Sequence, residues 1–280
     1  MLREKAYAKI NLFLNVIGKR SDGYHDLEMV MAPISLYDNI LLKPRKDKEI
    51  RVLSSIEITS KQEDNIVFKV AAFMQKEYGI ETGVDIIIDK RIPIGAGLAG
   101  GSADAAATLR GLNKLWKLKL SLDEMAKLGL EFGADIPFCI YNKLCIARGK
   151  GENLHFLNKT IKLPILIVYP NIHMSTKAVF EKTKLIDKKE VKVTRMAEAV
   201  YNRNYELIVE ELYNSLEAIV FEMEPTIQRL KEQMQGTGVK GVLMSGSGST
   251  VFAICKDKNK LRELSHVLDD SYIKKIVKIK

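Results

Sequence analysis

The strongest chemical signal in the sequence is a glycine-rich segment that runs from Pro93 to Asp104. It lies between an apolar, strand-like run at 84–89 and an alanine-rich helical pattern that begins near Ser102. The glycines at positions 95, 97, 100 and 101 can adopt positive φ angles and leave the backbone amides unshielded by Cβ atoms. Such amides, together with the positive end of the following helix, can hold a phosphate group without help from a side chain. The segment therefore predicts an anion site, and a simple strand-to-helix turn is the alternative.

Three known nucleotide-binding signatures resemble this segment, but each of them lacks an essential part here. Gly95 and Gly100 have the spacing of a Walker A loop, yet Gly101 occupies the position of its phosphate-binding lysine. The dinucleotide fingerprint needs a second strand ending in an acidic residue about 20 residues later, where residues 120–125 instead begin a helix. The chain contains neither the His-Arg-Asp nor the Asp-Phe-Gly tripeptide of protein kinases. These three classes of nucleotide site are therefore excluded.

Lys9 and Asp135 are candidate catalytic groups and Asn11 is a candidate for substrate binding, although each has a simpler structural interpretation. Lys9 and Asn11 fall on one face of a predicted first strand, because the alternate residues between positions 8 and 14 are aliphatic. A lysine on such a face ordinarily points into water. Asp135 follows the predicted end of a helix, where an aspartate ordinarily forms a turn. Taken singly, none of the three identifies a reaction.

Two further segments have the composition of ligand-binding loops. Tyr24 and His25 follow an Asp-Gly turn, and they could stack on and hydrogen-bond a base or simply line the loop. Residues 245–249, with the sequence Ser-Gly-Ser-Gly-Ser, join two predicted strands. They are equally consistent with a tight hairpin and with a second loop near a phosphate site.

The composition excludes several classes of protein. Of the 280 residues 46% are hydrophobic and 28% are charged, as in an ordinary globular protein. No apolar run approaches the ~20 residues of a membrane span, and the N-terminus lacks an apolar signal core, so we expect a cytoplasmic protein. The three cysteines and four histidines are scattered without the spacing of a disulfide framework or a zinc site.

The net charge of +9 is consistent with a nucleic-acid partner, an anionic small substrate or merely a lysine-rich surface. Much of the excess lies in residues 188–192 and 274–280, where lysines alternate with apolar or acidic residues as on a solvated face. Aromatic residues are not concentrated among the basic ones, as a platform for stacking single-stranded bases would require. We therefore expect no nucleic-acid partner.

Hydrophobic periodicity predicts both strands and helices, and their order does not alternate strictly, so the predicted fold class is α+β. The predicted strands are 8–14, 27–36, 39–43, 50–53, 84–89, 163–169, 241–244, 251–255 and 273–279. The predicted helices are 64–78 with Asp64 as its cap, about 102–116, about 122–133 after a capping box at Ser121 and Glu124, 176–186, 194–201, 205–221, 224–234 and 261–268. A segment without periodicity near 154–162 predicts a boundary between domains 1–157 and 158–280.

In their order along the chain, these motifs resemble the GHMP kinase superfamily, which includes galactokinase and the homoserine, mevalonate and phosphomevalonate kinases. The markers of this resemblance are Ala8–Leu12, Pro93–Asp104 and Gly246–Gly248. Three further segments narrow it: Asp22–His25, Asp89–Pro93 and Gly133–Pro137. With them the chain is similar to the members that phosphorylate a cytidine-diphosphate-linked methylerythritol in the non-mevalonate isoprenoid pathway.

The resemblance implies a two-domain fold, with an N-terminal domain like ribosomal protein S5 domain 2 and a ferredoxin-like C-terminal domain. It implies ATP and Mg²⁺ as cofactors, and transfer of the ATP γ-phosphate to the 2-hydroxyl of the methylerythritol. Asp135 would accept the proton of that hydroxyl, while Lys9 would keep the aspartate ionised and offset the developing negative charge. The metal ligands stay open, with Ser102 as one candidate.

The resemblance also assigns binding roles to residues of the matched motifs. The ATP phosphates would be held by the backbone of Pro93, Ile94, Gly95, Ala96, Gly97, Leu98, Ala99, Gly100, Gly101, Ser102 and Ala103. Asn65 is a candidate for contact with the adenine. Asn11 would help to orient the reacting group, and Tyr24, His25 and Phe180 would enclose the cytosine.

Two alternatives stay open on the sequence. Another small-molecule kinase of the superfamily, of the mevalonate or homoserine type, would share the glycine-rich segment, although Asp22–His25 favours the cytidine substrate. A basic RNA-binding protein is the second alternative, because the net charge is positive and the implied fold also occurs in ribosomal proteins. We expect no membrane partner, and the oligomeric state is open between a monomer and a weak dimer.

Overall fold

The computed structural model describes residues 1–183 and 192–280 and confirms the α+β class. The eleven strands of these residues are β1 (Leu2–Lys19), β2 (His25–Pro44), β3 (Ile50–Ser54), β4 (Val84–Asp89), β5 (Cys145–Gly149), β6 (Asn153–Phe156), β7 (Pro164–Tyr169), β8 (Tyr213–Asn214), β9 (Gly241–Met244), β10 (Val251–Ile254) and β11 (Ile273–Lys278). Their ten α-helices are α1 (Ile66–Glu77), α2 (Gly100–Leu115), α3 (Leu122–Leu130), α4 (Ile136–Tyr141), α5 (Thr176–Glu181), α6 (Val193–Tyr201), α7 (Tyr205–Glu210), α8 (Glu217–Met223), α9 (Pro225–Gly236) and α10 (Lys258–Val267).

The chain forms two compact units built from interleaved segments. Unit 1 consists of Met1–Ala8, Leu36–Ile94 and Ala99–Asn142, and unit 2 of Lys9–Ser35, Gly95–Leu98 and Lys143–Lys280. The long strands β1 and β2 each contribute one segment to both units. Because the segments interleave, these units do not test a single boundary along the chain, and the division into 1–157 and 158–280 stays a prediction.

Unit 1 packs four helices against the strands that precede the glycine-rich segment. Within it β4 pairs antiparallel with residues 39–44 of β2 and parallel with β3. β4 alternates buried and half-buried residues, so that its isoleucines at 86 and 88 enter the core. Residues 103–107 of α2 are all buried, and four of these five are alanines, which allow α1 and α4 to approach closely. The start of α2 is therefore held in place by packing.

Unit 2 contains a four-stranded antiparallel sheet in the order β11-β7-β10-β9. Along the chain its elements run strand, helices, two strands, helix, strand, which is the ferredoxin-like arrangement that the resemblance implies for the C-terminal region. Elsewhere in this unit β5 pairs with residues 27–31 of β2 and with β6, and the short β8 pairs parallel with Phe13 and Leu14 of β1.

Some element boundaries differ from the predictions. Asn65 rather than Asp64 caps α1, since its Oδ1 accepts a 2.9 Å hydrogen bond from the Val67 amide. The predicted helix 205–221 is wrong, because α7 ends at Glu210 and β8 separates it from α8. The predicted strands 27–36 and 39–43 are one continuous strand, β2.

Other predicted ends shift by a few residues. α2 begins at Gly100 rather than near Ser102, and α5 ends at Glu181, while residues 184–186 of the predicted helix 176–186 lie outside the described residues. The short elements β5, β6 and α4 have no predicted counterpart, because each is too short to show a clear hydrophobic period.

Candidate active site

Residues 95–98 of the glycine-rich segment belong to unit 2, and their carbonyl oxygens fix them within that unit. Four successive carbonyls accept hydrogen bonds from four separate places: Gly95 from Met174 N at 3.4 Å, Ala96 from Thr250 N at 3.4 Å, Gly97 from Ser245 Oγ at 3.1 Å and Leu98 from Lys9 N at 3.2 Å. Each carbonyl therefore points towards the body of the unit. The segment is held by its backbone rather than by its side chains.

The amides of residues 95–99 bond to no acceptor among the residues that the structure describes. φ is positive at Gly95 (63°), Gly97 (71°) and Ala99 (56°), so the sign of φ alternates along residues 95–99. Backbone N–H groups rarely stay unpaired unless water or a ligand satisfies them. Pinned carbonyls and amides without a described acceptor leave this backbone able to bind an anion, and the anion site stays a prediction.

Two of the glycines are required by close packing as well as by their φ angles. A Cβ atom built on Gly95 would collide with the imidazole of His173, and one built on Gly97 would collide with the Ser245 carbonyl oxygen. By contrast, a Cβ on Gly101 would meet nothing closer than Ile66, at 3.9 Å. Gly95 and Gly97 are therefore required by close packing, whereas Gly101 is not.

The second glycine-rich segment forms a hairpin connection, and its predicted position near a phosphate site stays a prediction. Residues 245–250 connect the antiparallel strands β9 and β10, and they also donate two of the hydrogen bonds that hold residues 95–98. Asn214, which is buried, fixes this connection by donating from Nδ2 to the carbonyls of Met244 and Gly246 at 2.9 and 2.8 Å. The sequence reasoning missed Asn214, because it lies within an apparently helical pattern.

In unit 1, the first turn of α2 adds a second group of free amides. The first amides of a helix have no intrahelical acceptor, and α2 has neither a side-chain cap nor an acidic residue in its first turn. Its positive end is therefore uncompensated by a negative side chain there, which favours an anion. The half-buried Ser102 lies in this turn, and its hydroxyl bonds to no other described residue.

A buried cluster of charges, which the sequence analysis missed, joins the two ends of the glycine-rich segment within unit 1. Lys90 Nζ lies 2.6 Å from Asp38 Oδ2 and 2.8 Å from Asp104 Oδ2, and the three side chains are at most 3% exposed. Asp38 also accepts hydrogen bonds from the amides of Arg91 and Ile92, at 2.5 and 2.7 Å. Asp104 lies on the buried face of α2, and a charged residue among buried alanines is the signal that could have revealed the cluster.

The cluster has one carboxylate more than it has cations, and this perturbs its protonation. Burial and the neighbouring Asp38 raise the pKa of Asp104 to about 8, against the opposing attraction of Lys90. Asp104 Oδ1 is buried and has no hydrogen-bond partner in the described residues. Burial disfavours the charge on Lys90, but the two carboxylates outweigh it and raise the pKa of Lys90. Because the pKa of Asp104 is raised to about 8, its carboxyl holds a proton at neutral pH, and the cluster carries no net charge.

Lys9 and Asn11 are buried, unlike side chains on the solvent-exposed face of a strand. Lys9 is 5% exposed and Asn11 is fully buried, and Lys9 Nζ donates to Asn11 Oδ1 at 2.8 Å. Asn11 Nδ2 contacts Met29 Sδ at 3.3 Å. A Cβ built on Gly246 would lie 3.3 Å from the Lys9 ammonium, so this charge lies against the second glycine-rich connection. The expectation that such a lysine points into water is therefore wrong.

Asp135 and Asn65, both in unit 1, lie at the starts of helices. Asp135 immediately precedes α4 and is half-buried, and its carbonyl accepts from the Cys139 amide at 3.1 Å. Arg110 of α2 donates to the Cys139 carbonyl at 2.8 Å, which ties α4 to α2. Asn65 is 5% exposed and already uses its amide oxygen as the cap of α1. The Nδ2 group of Asn65 is therefore the part of its side chain that is available for the predicted contact with adenine.

Three residues predicted to enclose a base lie in unit 2. His25 and Phe180 are neighbours, with ring centroids 5.3 Å apart and planes inclined by 35°. Tyr24 is 56% exposed, and the Lys150 ammonium lies 4.6 Å from its ring centroid. Burial and the charge of Lys19 lower the pKa of His25, so its imidazole is neutral at neutral pH. These aromatic rings can stack with a planar base.

The described residues contain no cluster of three or more histidine, cysteine, aspartate or glutamate side chains suited to a metal ion. Magnesium in phosphoryl-transfer sites takes most of its ligands from water and from the nucleotide phosphates, with one or two protein groups. The described side chains therefore fit a metal ion that enters with the nucleotide rather than one held in a protein cage.

Two family models match this chain. The model described as GHMP kinases N terminal domain covers residues 65–143, and the model described as GHMP kinases C terminal covers residues 196–274. A relative from Staphylococcus aureus (strain bovine RF122 / ET3-1), named "Putative 4-diphosphocytidyl-2-C-methyl-D-erythritol kinase", is 40% identical over 96% of this chain and 95% of its own. The relative of the same name from strain MRSA252 has the same identity and coverage.

This chain belongs to the GHMP kinase family.

Solved structures support this assignment. A crystal structure of 4-(cytidine 5'-diphospho)-2C-methyl-D-erythritol kinase matches this kinase with a TM-score of 0.85 and 29% identity over 99% of both chains. The mevalonate kinase of L. major in complex with R-mevalonate matches with a TM-score of 0.78 over 100% of this chain and 96% of its own, but at 16% identity, which shows a shared fold alone. The predicted GHMP kinase fold and the prediction of a small-molecule kinase are confirmed. In the described residues no helix has the length and apolarity needed to cross a membrane.

Proposed function

We propose that this kinase transfers the γ-phosphate of ATP to the 2-hydroxyl of 4-diphosphocytidyl-2-C-methyl-D-erythritol. The observation that carries the proposal is the segment of residues 95–99, whose carbonyls at 95–98 are pinned by hydrogen bonds while its amides have no acceptor in the described residues. The choice of substrate is supported by the names of the S. aureus relatives and of the structural neighbour at 29% identity.

The ATP phosphates bind to the backbone from Pro93 to Ala103. The unpaired amides of residues 95–99 and the uncapped start of α2 supply partial positive charge without a Walker lysine. Since these dipoles are already oriented, they need little rearrangement as negative charge shifts between the phosphates during transfer. Asn65 contacts the adenine through its Nδ2 group.

Asp135 accepts the proton of the attacking hydroxyl, and Lys9 offsets the negative charge that develops. A carboxylate suffices as the base, because in a loose transition state the hydroxyl proton leaves only as the bond to phosphorus forms. Asn11 holds the Lys9 ammonium through the 2.8 Å hydrogen bond to Oδ1 and so restricts the direction of its remaining N–H groups.

The cytosine binds against Tyr24, His25 and Phe180. The exposed Tyr24 ring and the Phe180 ring provide aromatic surfaces, and the neutral His25 ring provides a polar edge. Mg²⁺, which we propose as the second cofactor, neutralises charge on the phosphates when it is bound, and Ser102 is the protein hydroxyl best placed at the start of α2 to contact it.

A phosphate-transfer assay with three acceptors tests the proposal. We expect transfer from ATP to 4-diphosphocytidyl-2-C-methyl-D-erythritol, and far slower transfer to mevalonate or homoserine. Efficient transfer to mevalonate or homoserine alone would assign the chain to another branch of the family. Sub-micromolar binding of RNA with a steep dependence on salt, and no transfer at all, would favour the basic RNA-binding alternative. The cytoplasmic location, the lack of nucleic-acid and membrane partners, and a monomer or weak dimer stay predictions.

A further inference from the structure

The Thr183 hydroxyl makes two hydrogen bonds in unit 2 that together determine its orientation. Its Oγ1 lies 2.7 Å from the Phe180 carbonyl oxygen and 2.7 Å from His25 Nε2. A hydroxyl carries a single proton but two lone pairs, and a carbonyl oxygen can only accept. The Thr183 proton is therefore donated to the Phe180 carbonyl, and a lone pair of Oγ1 faces His25 Nε2.

This arrangement determines which nitrogen of His25 carries the ring proton. Nε2 faces a lone pair, so it must be the donor of its hydrogen bond. Burial and Lys19 lower the pKa of His25, and a neutral imidazole with a proton on Nε2 has a bare lone pair on Nδ1. Within the described residues no side chain or backbone group bonds to Nδ1. His25 therefore presents a hydrogen-bond acceptor.

We infer that Thr183 is a positioning residue, which holds His25 in the tautomer with Nε2 protonated so that Nδ1 accepts a hydrogen bond from the amino group of a cytosine. The inference rests on the proposed function, because that function places the base beside His25. Cytosine carries an amino donor on C4, whereas uracil carries a carbonyl oxygen at the same position. A bare Nδ1 pairs with the first and repels the second.

Without the Thr183 hydroxyl this discrimination is lost. In Thr183→Val a methyl group replaces the acceptor, so a proton on Nε2 has no partner and the tautomer with Nδ1 protonated gains population. An Nδ1–H group would donate to the uracil oxygen and clash with the cytosine amino group. Thr183→Ser keeps the hydroxyl and should preserve the original tautomer.

The test combines two measurements on the full-length enzyme. The first is the set of ¹⁵N chemical shifts of the His25 imidazole in the free protein at pH 7.5, which report the tautomer without any substrate. The second is the ratio of the dissociation constants for cytidine 5'-diphosphate and uridine 5'-diphosphate, measured by calorimetry. Thr82→Val is the matched control, because Thr82 is exposed and makes no side-chain hydrogen bond to a described residue.

We expect the wild-type protein, Thr183→Ser and Thr82→Val to show Nε2 protonated and to prefer the cytidine nucleotide. Thr183→Val should move the His25 shifts towards the other tautomer and reduce the preference by roughly 10-fold or more, as expected for one lost hydrogen bond. If Thr183 had a purely structural role, Thr183→Val would weaken the binding of both nucleotides equally and leave the ratio of their dissociation constants unchanged. That result would overturn the inference.

Failure of the inference can be told apart from failure of the proposed function. Normal phosphate transfer to the cytidyl substrate, with unchanged His25 shifts and an unchanged nucleotide ratio in Thr183→Val, would contradict only the role of Thr183. Absence of transfer to the cytidyl substrate would contradict the proposed function, while the His25 shifts would still decide whether Thr183 sets the tautomer.

Discussion

Lys9 is buried, whereas a lysine side chain is ordinarily exposed to water. Its ammonium is kept almost wholly out of water, although burying a cation costs free energy unless a polar partner compensates. Asn11 supplies one such partner, and the Asn11 amide is itself fully buried against Met29. The buried asparagine therefore compensates part of the cost of burying the lysine, and the catalytic role of Lys9 stays a proposal.

Replacing Asp135 tests the proposed catalytic base. Asp135→Asn keeps the size of the side chain but removes a basic oxygen, so we expect turnover to fall by ~10²-fold or more while ATP affinity stays nearly unchanged. Steady-state kinetics and a binding titration with an ATP analogue measure the two quantities. Asp270→Asn is the matched control, because Asp270 is fully exposed and, among the described residues, forms its ion pair with Lys274 alone. Turnover near that of the wild type would remove Asp135 as the base.

At the scale of the element, the short connection between β9 and β10 holds part of the glycine-rich segment in place. Its residues bond to the carbonyls of the glycine-rich segment, and Asn214 holds it from the two-residue strand β8. The same asparagine explains why the predicted helix 205–221 is interrupted. Its amide is used in tertiary hydrogen bonds and its Oδ1 accepts from the Leu216 amide, so these bonds outweigh the local helical pattern.

Two alanine substitutions in the glycine-rich segment should have opposite effects. Gly97→Ala places a Cβ against the Ser245 carbonyl at a residue with φ of 71°, so we expect a loss of stability of about 2 kcal/mol and weaker ATP binding. Gly101→Ala lies in α2 with open space around its Cβ, so we expect unchanged stability or a gain of about 0.5 kcal/mol. Urea denaturation and an ATP-analogue titration measure both effects.

Comparing Gly97→Ala with Gly101→Ala also shows whether a loss of ATP binding comes from the collision with Ser245 or from any substitution in the segment. If both variants lost ATP binding equally, the collision with Ser245 could not be the cause. If Gly97→Ala behaved like the wild-type protein, the tight packing of residues 95–98 on unit 2 would be contradicted.

At the scale of the whole molecule, the similarity to known kinases extends over nearly the entire chain. The S. aureus relatives align with 96% of it and the structural neighbour at 29% identity with 99%, so the family assignment does not rest on the glycine-rich segment alone. The net charge of +9 is compatible with this assignment, because the proposed substrates are anionic.

The charge cluster of unit 1 makes the stability of the protein depend on pH. The folded state holds a proton on Asp104 up to a pH of about 8, whereas the free carboxyl releases it near 3.8. Folding therefore takes up a proton between these values, and stability should fall as the pH rises from about 4 to about 8 and then level off. Asp104→Asn should remove this part of the dependence and be more stable than the wild type at pH 9.

Lys90→Met provides the opposite test of the same cluster. It removes the cation and leaves two buried carboxylates, so we expect a loss of about 3–5 kcal/mol. Denaturation midpoints of the three proteins between pH 5 and pH 9 measure these effects. A wild-type protein and an Asp104→Asn variant with parallel pH profiles would show that Asp104 is already ionised in the folded state.

The fold was predictable where residues repeat with a clear period and where motifs are local. Alternation identified β4 and the apolar face of α1, and the capping box at Ser121 and Glu124 identified the start of α3, where both reciprocal bonds form. The short β5, β6 and α4 were not predictable, since their few residues carry no period, and β5 pairs with a part of β2 that is distant in sequence.

By itself, the sequence determined the family, because ordered motifs along the chain restrict the chemistry even when each motif alone is ambiguous. It also determined that residues 93–104 could bind an anion, since the freedom of glycine is a local property. Only the tertiary structure decided that Lys9 is buried, that Lys90, Asp38 and Asp104 form one cluster, and that the amides of residues 95–99 find no acceptor in the described part of the chain. Each of these depends on contacts between residues far apart in the chain, and local periodicity carries no information about such contacts.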